Sequence, residues 1–219
     1  APHEESGYNA CAGSSAGCRA TCLYYAGRGA FPQVKSARIR KTKLYFEDFN
    51  TFKSSMEKDI KSALNWADKN NLKPCFRLDG TTDLGVAQHF VSNNKTKQFY
   101  DYTKCPSRIR MAEKHDNWHI TYSLSENTTT KRMRILLASN SNIAIPFHNV
   151  PEIGTRLLGR EIVSGDETDL RFLDGMKKIV TLKVKGGKGK KTLNEDKKST
   201  NGFILTDGAA LEKRFAALA

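Results

Sequence analysis

The sequence lacks any run of apolar residues near the roughly 20 that a bilayer-spanning helix requires. Its first residues, Ala-Pro-His-Glu-Glu, provide neither a basic start nor an apolar stretch, so no secretory signal is visible. Hydrophobic residues account for only 38% of the 219 residues, which is enough for one ordinary core. These absences predict a protein with one folded domain and no membrane partner.

Acidic residues are also scarce, because 23 Asp and Glu stand against 36 Lys and Arg and leave a net charge of +13. Such a charge is compatible with binding to nucleic acid, to an acidic protein or to neither. Much of the excess lies in residues 35–43 and in residues 183–198, and the second tract has too few apolar residues to become ordered. We therefore expect residues 1–185 to form a domain and residues 186–219 to form a flexible basic loop and C-terminal tail.

The rest of the sequence alternates between helical and strand patterns. A helix is predicted from Pro32, and a second, amphipathic helix from a cap at Asp48 or Asn50 to Asn70. Strands separated by shorter helices are predicted at residues 74–79, 98–103, 118–124, 143–147, 161–163 and 178–184. This alternation favours an α/β fold with a parallel sheet, arranged as a partial or small β/α barrel.

Polar residues follow the predicted strands, at the edge where parallel sheets carry their functional side chains. The cysteine-rich segment precedes the first long helix, where a strand upstream of Ala1 would bring it to the same edge. Asp83 is also expected to cap a short helix that runs to residue 90. The candidates at this edge are Asp79, Thr82, Asp83, Asp101, Lys104, Ser125, Asp166 and Asp169.

Five cysteines are an odd number, and Cys11, Cys18 and Cys22 fall within one short segment. This distribution favours metal or redox chemistry in a reducing compartment over a disulfide framework. Iron–sulfur clusters are held by converging thiolates, and the neighbouring glycine, alanine and serine residues let the backbone approach a cluster closely. The segment therefore predicts an iron–sulfur cluster, with [4Fe-4S] favoured. Zinc, a disulfide with a spare thiol, and unliganded cysteines remain alternatives.

A fourth ligand is harder to assign. Cys105 follows a predicted strand and is the best single candidate, with Asp83 or an exogenous ligand as rivals. Cys75 opens a strand and is expected to pack in the core.

The basic segment before residue 44 has a second interpretation. Lys35, Arg38, Lys41 and Lys43 can follow nucleic-acid phosphates on one helix, or they can form an ordinary solvated face. No base-reading motif accompanies them.

Several stretches together resemble the phage gene product eighty-eight family. They begin with Ser-Gly-Tyr-Asn-Ala-Cys at residues 6–11, followed by Cys18 and Cys22. The further matching stretches are residues 27–32, 38–47, 77–83, 100–104, 122–125 and 165–174. The resemblance implies a phage protein in the cytoplasm of an infected bacterium, and its three N-terminal cysteines correspond to Cys11, Cys18 and Cys22. Cys75 and Cys105 fall outside the family pattern.

The three cysteines are also similar, more distantly, to those in the first loop of radical S-adenosylmethionine enzymes. The spacing here is six residues and then three, whereas that group has three and then two. The sequence as a whole predicts an iron–sulfur phage protein in redox or electron transfer, with an unknown redox partner or small molecule. The alternatives are a cluster-dependent enzyme of the radical S-adenosylmethionine kind and a basic nucleic-acid-binding protein with a structural metal.

Overall fold

The structure is a computed structural model, and it describes residues 3–22, 24, 27–184 and 202–218. The helices of this part are α1 (His3–Ser6), α2 (Ala16–Ala20), α3 (Pro32–Glu47), α4 (Phe49–Lys69), α5 (Pro106–Ala112), α6 (Thr130–Ala138) and α7 (Gly208–Arg214). Short 3-10 helices lie at Gly27–Ala30, Val86–His89, Val91–Asn93, Arg171–Asp174 and Ala216–Leu218. No helix in these ranges is long and apolar enough to cross a membrane.

One seven-stranded sheet organises the molecule, in the order β1-β2-β3-β4-β7-β6-β5. Its strands are β1 (Cys75–Phe76), β2 (Gln98–Thr103), β3 (Trp118–Ser123), β4 (Asn142–Phe147), β5 (Arg156–Leu157), β6 (Arg160–Ser164) and β7 (Ile179–Lys183). All neighbours pair in parallel except β5 and β6, which form an antiparallel hairpin. The predicted α/β fold with a parallel sheet is confirmed, but within the described residues the sheet stays open and forms no closed barrel.

Local sequence signals account for the long helices. The Asp48 carboxylate accepts a hydrogen bond from the Thr51 N–H at 3.0 Å and so caps α4, as predicted. Phe52 and Ile60 lie on the buried face of α4 and join the core. The helix ends at Lys69 with Asn70 as its cap, and Asn71 adopts a left-handed conformation with φ of 53°.

Residues 202–218 complete the same core. Leu205 pairs in parallel with Phe147 at the end of β4, and its N–H donates to the Pro146 carbonyl at 3.0 Å. Leu211 and Phe215 on the following helix are buried. The lysine-rich tract, from residue 185 to residue 201, lies outside the described residues. The part of the predicted tail that is described therefore packs against the sheet.

Candidate metal centre

The three clustered cysteines line one cavity of about 340 Å³ at the carboxyl edge of the sheet. Ser15 caps α2 by accepting the Cys18 N–H at 3.2 Å, and this fixes the turn between Cys11 and Cys22. The Cys11 thiol lies 3.8 Å from the Thr81 carbonyl, in the loop after β1. The predicted convergence of the cysteine segment with the strand ends is thus present in the structure.

Most of the polar residues predicted for this edge line the same cavity, but two do not. Asp101 and Ser125 are buried beside the cavity, where Asp101 supports a loop and the Ser125 carbonyl accepts from Arg214 at 2.7 Å. The predicted residues that line the cavity are Asp79, Thr82, Asp83, Lys104, Asp166 and Asp169.

Two buried carboxylates shape the loop that faces Cys11. The Asp101 carboxylate accepts the Asp79 N–H at 3.0 Å. The Asp79 carboxylate in turn accepts the N–H groups of Leu84 and Val86, at 3.2 and 2.8 Å, and the hydroxyl of Thr82. Because these hydrogen bonds occupy the Asp79 carboxylate, Asp79 supports residues 80–86 and is not an exposed ligand.

Asp83 joins this loop to the end of β2. Its carboxylate accepts the Thr103 hydroxyl at 2.8 Å and the Lys104 N–H at 2.9 Å, and it pairs with Arg108. The Asp83 N–H also donates to the Ala10 carbonyl at 2.8 Å, beside Cys11. The expected capping role is wrong, because Gly85 precedes the 3-10 helix at Val86–His89 and no side chain caps it. With its oxygens already engaged, Asp83 is poorly placed as a fourth ligand.

Glu126 supports the cysteine segment, although it was not among the candidates selected at this edge. It accepts the Ser15 hydroxyl at 2.6 Å and the Gly17 N–H at 2.7 Å, so it fixes the beginning of α2. Although burial alone would raise the pKa of Glu126, these two hydrogen bonds lower it. A Cβ at Gly17 would overlap Phe203, so glycine is required where the segment packs. Only the position of Glu126 just after a predicted strand hinted at its role.

Lys104 brings a cationic side chain into the cavity. Its ammonium donates to the Ser123 hydroxyl at 2.6 Å and lies 5.0 Å from the centre of the Phe203 ring. Burial lowers the pKa of Lys104, while the nearby Cys18, Asp83 and Glu126 oppose that effect. The cavity therefore places one ammonium among thiols and carboxylates.

The Cys11 and Cys18 thiols resist ionisation. Burial raises the pKa of Cys11 to about 11, and the charges of Asp83, Cys22 and Cys18 also raise it. Burial raises the pKa of Cys18 as well, while Lys104 acts in the opposite direction and Cys22 and Glu126 add to the increase. All three cysteines line the same cavity. Metal binding here would release protons, because thiolates are the ligands.

In the described ranges, no group of three or more His, Cys, Asp or Glu side chains could hold a metal ion. A single zinc ion needs four ligand atoms within about 2.3 Å of one point. Three thiols nevertheless line one cavity, and thiolates are the ligands of iron–sulfur clusters, in which each thiolate binds a different iron.

The remaining cysteines lie elsewhere. Cys105 precedes α5 and its sulfur lies 3.5 Å from the Ser107 hydroxyl, and it does not line the cavity. Cys75 begins β1. All five cysteines, Cys11, Cys18, Cys22, Cys75 and Cys105, are free thiols.

The four basic residues predicted to form one face of α3 differ in exposure. Lys35 and Arg38 are half-buried and lie over the Tyr24 ring, at 6.0 and 5.4 Å from its centre. Lys41 and Lys43 are exposed. Nucleic-acid binding by this face stays a prediction, with two of its four cations already in contact with an aromatic ring.

Asp101 gives the protein an expected pH dependence. Burial, followed by the charge of Asp79, raises the pKa of Asp101 from 3.8 to about 8. A folded-state pKa above the unfolded value stabilises the protein below pH 4, and this contribution is lost as the pH rises towards 8. In Asp101→Asn, the free energy of unfolding should therefore fall less steeply as the pH rises. Between pH 5 and pH 8 the variant should gain at least about 1 kcal/mol relative to the wild type, measured by urea unfolding.

Asp116→Asn, at an exposed position, is the control for that measurement. Equal slopes of stability against pH in the wild type and Asp101→Asn would contradict the assignment.

Comparison with known proteins identifies one family. A sequence model of the family described as Gene product 88 matches residues 1–205. No curated protein and no solved structure matches the chain. The more distant resemblance to radical S-adenosylmethionine enzymes finds no support in these comparisons.

Proposed function

The chain belongs to the gene product 88 family, and we propose that it binds an iron–sulfur cluster through Cys11, Cys18 and Cys22 and acts in a redox reaction. The observation that carries this proposal is the shared cavity, which all three thiols line. Thiolates are the ligands that iron–sulfur clusters require. A reducing bacterial cytoplasm, as expected for a phage protein in its host, would keep these thiols available.

Surrounding residues hold the backbone near the three thiols in place. Glu126 and Ser15 hold the turn that carries Cys18, and Asp83 holds the backbone at Ala10, next to Cys11. Because these supports are hydrogen bonds to buried or half-buried groups, the thiols are presented in a defined geometry. A bound cluster would supply the ability to accept and return one electron, which none of the side chains has.

Metal analysis tests the proposal. Protein purified without oxygen should be brown and should contain iron and acid-labile sulfide in comparable amounts. Its visible absorbance should bleach on addition of dithionite, because reduction weakens sulfur-to-iron charge-transfer bands. Elemental analysis and a sulfide assay on the same sample provide the measurement. Stoichiometric zinc without sulfide would refute the iron–sulfur proposal in favour of a structural metal.

A second function, reaction of a small molecule at the cluster, is favoured by one specific observation. The cavity extends from the cysteines to Arg77, Tyr102 and Asp169, while Cys105 lies outside its lining. Three protein thiolates leave one iron of a [4Fe-4S] cluster open to a substrate, as in catalytic metal sites with an open position. An electron carrier would instead be expected to have a fourth protein ligand.

The electron paramagnetic resonance spectrum of the reduced protein distinguishes these two functions. If Cys105→Ser leaves the spectrum of the reduced cluster unchanged, Cys105 is not a ligand and the enzymatic function gains support. A spectrum altered in Cys105→Ser would establish a fourth protein ligand and favour electron transfer.

A further inference from the structure

Two side chains of opposite charge, Lys104 and Glu126, lie close to Cys18 without being candidate ligands. Glu126 accepts hydrogen bonds from Ser15 and Gly17, next to Cys18, and Lys104 lines the same cavity as Cys18. We propose that Lys104 raises and Glu126 lowers the reduction potential of the centre at Cys11, Cys18 and Cys22. This inference rests on the proposed iron–sulfur function and identifies residues that tune it.

The Lys104 charge is fixed in place. Its ammonium donates to the hydroxyl and the carbonyl of Ser123, at 2.6 and 3.3 Å, and the ring of Phe203 lies 5.0 Å away. Closer to the backbone, a Cβ built on Gly13 would come within 2.9 Å of the Lys104 Cβ. The cysteine segment therefore packs directly on this lysine. These contacts hold the Lys104 ammonium beside the cysteine segment.

The Glu126 charge is fixed as firmly. Its two carboxylate oxygens accept from the Ser15 hydroxyl and the Gly17 N–H, on either side of the position where α2 begins. Ser15 also accepts the Cys18 N–H at 3.2 Å. A short relay of hydrogen bonds thus connects the carboxylate to the backbone of the central cysteine.

The direction of each effect follows from electrostatics. Reduction adds one electron from an external donor to the centre, and no bond to a protein atom needs to form or break. A fixed positive charge nearby stabilises the added electron, and a fixed negative charge destabilises it. Because Lys104 and Glu126 are both half-buried, solvent screens their charges only partly.

Redox titration of the loaded protein tests the inference. Lys104→Met keeps the length of the side chain and should shift the reduction potential to a lower value. Glu126→Gln keeps its shape and should shift the potential to a higher value. Lys104→Arg, which keeps the charge, should restore the potential towards that of the wild type. A purely structural role would not produce two shifts of opposite sign.

The exposed residues Lys58 and Glu57 on α4 allow matched controls, because Lys58→Met and Glu57→Gln make the same changes of charge far from the cavity lining. Their potentials should equal that of the wild type. If Glu126→Gln fails to assemble the centre, the difference in reduction potential between Lys104→Met and Lys104→Arg tests the tuning proposal.

The possible failures are distinguishable. Unchanged potentials, or shifts of the same sign, in variants that contain normal iron and sulfide would overturn the tuning proposal alone. Wild-type protein without iron and sulfide would overturn the proposed function, and the tuning proposal with it.

Discussion

Replacing Cys18 with alanine is expected to remove most of the iron and sulfide from protein purified without oxygen. Cys18 lies between the other two clustered cysteines in sequence, and its backbone is held by Ser15. Loss of an outer-shell partner typically weakens metal binding by about 10–100-fold, and loss of a ligand should cost at least as much. The variant should also unfold more readily than loaded wild-type protein, because ligand binding and folding are coupled. Iron and sulfide assays with a thermal melt measure both effects.

Cys75→Ala is the matched control for this experiment. It also removes one thiol, and Cys75 does not line the cavity. The control should therefore retain iron and sulfide close to the wild-type content. Retention of the full content in Cys18→Ala, or equal losses in Cys18→Ala and Cys75→Ala, would refute the assignment of Cys11, Cys18 and Cys22 as the ligands.

Replacing Asp83 with alanine is expected to produce the largest loss of stability among the cavity residues. The pair of Asp83 and Arg108 is largely buried, with side-chain exposures of 12% and 17%. The substitution leaves Arg108 unpaired and also removes the acceptor for Thr103 and Lys104. Breaking a buried pair by removing one partner costs about 3–5 kcal/mol, and the residual exposure lowers the estimate here to about 2–4 kcal/mol. Urea unfolding of protein without bound metal provides the measurement.

Asp169→Ala provides the contrast, because it breaks an ion pair on the same cavity. Asp169 pairs with Arg77 at 2.6 Å, but its side chain is 54% exposed. Exposed pairs contribute only about 0.2–1 kcal/mol, so this variant should remain close to the wild type. Comparable losses at Asp83 and Asp169 would show that burial does not control the strength of these pairs.

The long helices and the parallel sheet could be predicted because their signals are local. The cap at Asp48, the apolar spacing from Phe52 to Ile60 and the end at Asn70 all lie within one helix. The strand at residues 74–79 was predicted too long, since only Cys75–Phe76 pairs with β2. The residues after it form a loop that Asp101 holds from 22 positions away in sequence. Whether the sheet stays open or closes into a barrel likewise depends on pairing between strands that are far apart in sequence.

The candidate site was predictable as a set of residues but not as a network. The cysteines and most of the strand-end residues do line one cavity, because parallel strands bring their carboxyl ends together. The contribution of Glu126 depends on contacts across 109 and 111 positions, which no local pattern reveals. Phe203 was assigned to the basic tail, although it packs against Lys104 in the cavity.

Phe203 and Arg214 are synthesised after the cysteine segment that they help to enclose. Phe203 completes the cavity wall, and the Arg214 guanidinium holds the carbonyls of Ser125, Glu126 and Thr128. During translation the cysteine segment leaves the ribosome long before these two residues. The nascent chain therefore presents its thiols without the wall that later encloses them. The finished cavity forms only after residues 202–218 have emerged, so enclosure of the cysteine segment depends on residues far downstream in the chain.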